Sequence, residues 1–164
     1  MSETLHLWAV APAAIGTCCL AADRARVRPP EVVASVLMLL AMLDAGLLGL
    51  VAPVYWATVL LLAALALAAW RRPRQRRTPR VPTTMTLHTA LGLVMMAALQ
   101  VAMGTHPQTS AHTHGVALGP LLLAAVIGYG LASVLMLRRM PARLDRAQIG
   151  AMAASIVLMS IAGL

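Results

Sequence analysis

Residues 32–80 read VVASVLMLLAMLDAGLLGLVAPVYWATVLLLAALALAAWRRPRQRRTPR. Two apolar runs, 32–52 and 54–70, flank Pro53, and the second stops at Trp70 against a block carrying Arg71, Arg72, Arg74, Arg76, Arg77 and Arg80. As helices they measure about 26–32 Å, the thickness of a bilayer's hydrocarbon core at about 30 Å. Asp44 is the one charged residue in the two runs. Pro53 reads as a tight turn between antiparallel spans, and the Arg block as a linker too polar to enter lipid.

The same alternation extends outward in both directions. Of the 164 residues, 60% are hydrophobic and 11% charged, against about 45–50% and about 25% in soluble domains. Soluble enzymes and DNA-binding proteins are thereby excluded. Hydropathy divides the chain into spans at about 5–22, 32–52, 54–70, 85–104, 116–137 and 147–164, with a linker at 71–84 and a His-containing loop at 105–115. The expected fold is all-α: one domain over 1–164, a bundle of six transmembrane helices.

A net charge of +8 and a pI near 11.5 in a soluble chain point to nucleic acid, so the placement of the cations decides. Every cation is Arg: Arg24, Arg26 and Arg28, the six of the linker, and Arg138, Arg139, Arg143 and Arg146. These three groups follow the first, third and fifth spans and so share one side, which the positive-inside rule makes the cytoplasm. Both termini and the His loop then lie outside. Nucleic acid is not the expected partner; anionic headgroups are, at roughly 1 kcal/mol per Arg near the surface. Trp8, Tyr55, Trp56 and Trp70 sit at span ends, where amphipathic rings favour the headgroup level, and only Tyr129 lies well inside a span. Glu3 precedes the first span and the Arg residues follow it, the reverse of a signal peptide, so that helix is expected to be retained. Cys18 and Cys19 at its inner end are expected to pack as free thiols.

Ionisable and polar residues inside spans are the functional candidates. Asp44 lies about 18 Å into the second span and Gln100 about 22 Å into the fourth, so a hydrogen bond between them is expected, with a proton-carrying or ion-binding Asp44 as the alternative. His88, about 4.5 Å inside the cytoplasmic edge, reads as a hydrogen-bonded interfacial imidazole. Along the same helix His88, Gly92, Met95, Met96, Leu99 and Met103 fall on one stripe about 100° wide. Above it the loop supplies His106, His112 and His114. The chain has no Lys, Asn or Phe, as strong GC codon bias produces, yet it holds 11 Met, whose codon such bias does not favour. Thioether and imidazole are ligands for copper, so Met95, Met96 and Met103 below His106, His112 and His114 form a candidate copper path; flexible Met packing at helix contacts is the competing explanation.

Six short spans with little mass outside them, and His88 followed by Met95 and Met96 on the fourth helix, resemble an uncharacterised family of small actinobacterial integral membrane proteins. The likeness covers most of the chain, but its only motif is the His/Met helix, and Leu91 and Ala98 stand where further Met would be expected. The resemblance implies a polytopic protein of the bacterial cytoplasmic membrane, with no activity attached. Haem and catalytic groupings find no pair of side chains at one depth: Asp44 and His88 are separated by about 13 Å along the bilayer normal. Small residues on the fifth helix, Gly115, Gly119, Ala124 and Gly128, read as close helix contacts. The expected role is a non-catalytic accessory or scaffold subunit in a homo-oligomer or larger membrane complex. Copper binding or transfer is the alternative, and a transporter built from two inverted three-span halves, split near Val81 and Pro82, is a second.

Overall fold

The six apolar runs become six helices in the computed structural model, which describes residues 2–22, 29–75, 83–104, 118–140 and 142–163. They are α1 (Ser2–Ala22), α2 (Pro29–Leu43, prolonged by a π-turn at Asp44–Leu48), α3 (Pro53–Gln75), α4 (Thr83–Gly104), α5 (Leu118–Arg139) and α6 (Arg143–Gly163). Among the described residues five helices are long and apolar enough to cross a membrane, and α1 contributes a shorter apolar stretch, Trp8–Ala22.

Local chemistry explains where the ends differ from the hydropathy reading. Pro29 and Pro53 occupy first helical positions, where the missing N–H costs nothing and φ is preset. Helix α2 stops short of the expected residue 52 because Gly49 turns left-handed at φ 57°, its N–H donating to the Asp44 carbonyl at 2.6 Å. Helix α3 continues past Trp70 to Gln75, since Arg is a good helix former and leaving an apolar environment does not require the backbone to unwind. Charges suit the helix dipoles: Glu31 and Asp145 lie in the first turns of α2 and α6, and Arg138 and Arg139 in the last turn of α5.

The most extensive pairings are α1 with α6 and α3 with α4. Both are permitted by glycine. A Cβ on Gly16 would stand 3.2 Å from that of Ala151, and one on Gly104 would stand 3.2 Å from that of Pro53. Exchanging the halves α1–α3 and α4–α6 maps the two pairings onto each other, as an inverted repeat requires. The exchange is broken by α4, which also packs on α6 and α2 without comparable α1–α3 and α1–α5 counterparts. Helix α4 is therefore central, bounded by α2, α3, α5 and α6.

The core holds Met38, Met42, Leu60, Leu93, Met96, Leu99, Ile156 and Met159, with unbranched Met filling the gaps that Phe would leave. Outward faces remain apolar: Trp8, Leu50, Val54, Tyr55, Leu62, Leu65, Leu121 and Leu131 are each more than half exposed. Of the five membrane-length helices α5 is the least enclosed, with 17% of its apolar stretch buried against 44% for α4. Its small residues do not make the expected close contacts, because no heavy atom comes within 4 Å of a Cβ placed on Gly119 or Gly128; Gly115 lies outside the described residues. Cys18, expected to pack, is exposed, and Cys19 is half-buried.

Candidate functional site

His88 is carried into the bundle by the buried face of α4, the same stripe that buries Gly92, Met96 and Leu99. Opposite it, α5 presents Tyr129 and Ser133, one turn apart and both buried. The Ser133 hydroxyl donates to the Tyr129 carbonyl at 2.7 Å, so its proton is committed and its oxygen accepts from His88 Nε2 at 2.9 Å. Imidazole Nδ1 is then an acceptor, reached by the Tyr129 hydroxyl at 3.5 Å. The two rings stack with centroids 4.9 Å apart and planes inclined by 29°. This circuit runs from phenol to imidazole to hydroxyl to carbonyl and closes within two helices.

Gly92, one turn beyond His88, makes room for this group and for a third helix. A Cβ there would stand 3.0 Å from the Tyr129 hydroxyl oxygen, 2.6 Å from Met152 Cε and 3.2 Å from Met152 Sδ. The thioether of α6 thus rests in a notch beside the phenol. Nearer the start of α4, the Thr86 hydroxyl donates to Glu31 Oε1 on α2 at 3.0 Å, with both residues buried.

A second polar group joins α2 to α3. Asp44 Oδ1 accepts from the Leu50 amide at 3.0 Å, and Oδ2 accepts from the Val51 amide at 3.1 Å and from the Trp56 indole at 2.7 Å. Both carboxylate oxygens are used in fixing the turn. The expected Asp44–Gln100 hydrogen bond is not formed. Gln100 Nε2 donates instead to the Ala41 carbonyl at 3.2 Å, just before the π-turn, where a change from i+4 to i+5 bonding loosens the carbonyl ladder. Among the described residues Gln100 Oε1 is buried with no hydrogen-bond partner.

Of the candidate copper ligands, Met96 is fully buried in the core, and Met95 and Met103 pack against it partly buried. His106, His112 and His114 lie outside the described residues. Among the described residues no three His, Cys, Asp or Glu side chains gather into a metal-binding group. The sequence reading missed Tyr129 and Ser133 as partners of His88, Trp56 as partner of Asp44, and Met152. The i,i+4 spacing of Tyr129 and Ser133 was the available signal for the first pair.

Fold and site together define an all-helical bundle whose interior polar groups tie neighbouring helices. Comparison with protein-family models, with curated proteins and with solved structures gives no match.

Proposed function

We propose that the chain is a six-pass protein of the bacterial plasma membrane, both termini outside, serving as a non-catalytic structural subunit within a homo-oligomer or a larger membrane complex. The observation that carries this is the use made of its interior polar side chains. Thr86–Glu31 ties α4 to α2, His88–Ser133 ties α4 to α5, and Asp44–Trp56 ties α2 to α3. In lipid, where apolar helices gain nothing from excluding water, such bonds hold a bundle together. The apolar outer faces and five membrane-length helices support insertion. The Arg-bearing connections, one after each odd-numbered helix, support the orientation and contact with anionic headgroups. The partial pairing symmetry of the halves is too broken at α4 to favour an inverted-repeat transporter.

As a structural subunit, the protein extracted in mild detergent and cross-linked should migrate as a fixed assembly of constant composition. A solitary monomer under those conditions would refute the assignment.

A further inference from the structure

We propose that the turn from α2 into α3, residues 49–52 with their flanks, lies just beneath the lipid headgroups with its side chains among the acyl chains, and that Asp44 is the residue that keeps it there. This rests on the six-pass reading above and adds to it the depth of one turn and what covers it. From Ala45 to Val54 the sequence carries no charged, hydroxyl or amide side chain. Leu47, Leu48, Leu50, Val54 and Tyr55 are each more than half exposed, Leu50 at 78%. Contiguous apolar exposure of this kind marks a surface that meets a membrane or another protein.

Irregular backbone is ordinarily excluded from hydrocarbon because its N–H groups find no acceptor there. Here acceptors come from inside the fold. Asp44 receives three successive amides: Gly49 on its carbonyl at 2.6 Å, Leu50 on Oδ1 at 3.0 Å and Val51 on Oδ2 at 3.1 Å. Pro53 has no N–H to satisfy, and the Tyr55 amide donates to the Ala52 carbonyl at 2.9 Å. Asp44 is buried, so these bonds are made from the protein side of the turn. A loop standing in water has no need of this, since water itself pairs its amides. The first polar side chains past the turn also face inward. Trp56 directs its indole N–H to Asp44 Oδ2 at 2.7 Å and not to the headgroups, and the exposed Thr58 hydroxyl donates to the Val54 carbonyl at 2.8 Å.

Length and side-chain size separate lipid from a protein cover. Pro53 lies about 25.5 Å along α3 from Trp70, after which the Arg residues begin. With Trp70 at the inner headgroup level, Pro53 falls short of the far edge of a hydrocarbon core of about 30 Å, and any tilt of α3 lowers it further. Helices that meet in lipid do so over small residues that let their backbones approach. The exposed side chains of this turn are large, branched or aromatic, which suits fluid acyl chains better than a second helix.

The test uses full-length protein in vesicles of phosphatidylcholine and phosphatidylglycerol, with Cys18→Ala and Cys19→Ala and one nitroxide attached through Leu50→Cys or Leu62→Cys. Leu62, exposed on α3 and well past Pro53, serves as the mid-span reference. Electron paramagnetic resonance compares collisions with oxygen, which concentrates in hydrocarbon, against those with a water-soluble nickel chelate. Position 50 should favour oxygen over nickel, as position 62 does, but to a smaller degree. Nickel favoured at 50 with oxygen favoured at 62 would overturn the proposal and leave the six-pass reading standing; nickel favoured at both would overturn that reading as well. Few collisions with either reagent at 50 would mean that a second copy or another protein covers the turn, which also overturns the proposal. Adding Asp44→Ala strands the Leu50 and Val51 amides and should shift position 50 toward nickel. Unchanged depth in that variant would show that the carboxylate does not hold the turn below the headgroups. Should the variant fail to fold, the comparison of positions 50 and 62 with Asp44 in place still decides where the turn lies.

Discussion

Replacing Asp44 with Ala is expected to lower the thermal stability of the purified protein more than any other single substitution of a polar side chain among the described residues. The carboxylate is the common acceptor for the Leu50 and Val51 amides and the Trp56 indole, so one change strands three donors where the chain turns from α2 into α3. Asp44→Asn separates this role from proton carriage. A proton carrier replaced by Asn keeps its fold and loses activity. In the turn, the Asn amide nitrogen faces a donor in place of an acceptor, so Asn is itself destabilising, by less than Ala. Trp56→Phe removes one donor of the three and lowers the melting temperature least. Melting in detergent, followed by helical circular dichroism, checks the order Ala, Asn, then Trp56→Phe. An Asn variant as stable as the parent would show that the turn is held by something else.

The second large effect is at Gly92. Ala at this position places a Cβ 2.6 Å from the end of Met152, and that flexible side chain can withdraw, so the expected loss is about 1 kcal/mol. Leu cannot be accommodated without displacing Tyr129 from His88, and its cost rises to about 3 kcal/mol or prevents folding. Coupling identifies the cause: Gly92→Ala with Met152→Ala is expected to be more stable than the sum of the two single losses predicts, because the truncated thioether vacates the space the new methyl needs. Strict additivity of the two losses would show that Gly92 and Met152 do not share this notch.

How far the fold was legible varies by element. The number of helices, the turn before Pro53 and the central stripe of α4 followed from hydropathy and helical periodicity, because apolar runs of this length have few alternatives. Helix ends were less legible. Arg71 and Arg72 are polar enough to close a span by hydropathy, yet α3 runs through them, since hydropathy reports solvent preference and not backbone conformation. The fate of Asp44 was hidden for a related reason. A continuous helix over 32–52 gives it a depth close to that of Gln100, but the π-turn and Gly49 end the helix there and turn the carboxylate toward backbone amides that a continuous helix would not free.

Depth arithmetic carried through to α5 would have found the His88 circuit. His88 is five residues past the start of α4, about 7.5 Å, and Ser133 is six residues before the end of α5, about 9 Å, on antiparallel helices. The close approaches at Gly16, Gly92 and Gly104 were beyond reach. Small residues on α5 carry the same sequence signature while facing open space, so the signature does not reveal which helix faces a neighbour.

Orientation is the claim from which the rest follows, and labelling tests it most directly. In a background with Cys18→Ala and Cys19→Ala, single cysteines are introduced as His112→Cys or Arg76→Cys, and intact cells are treated with a membrane-impermeant maleimide. The account predicts that position 112 is labelled at once and position 76 only after the membrane is opened. Labelling of position 76 in intact cells, with position 112 protected, would contradict it.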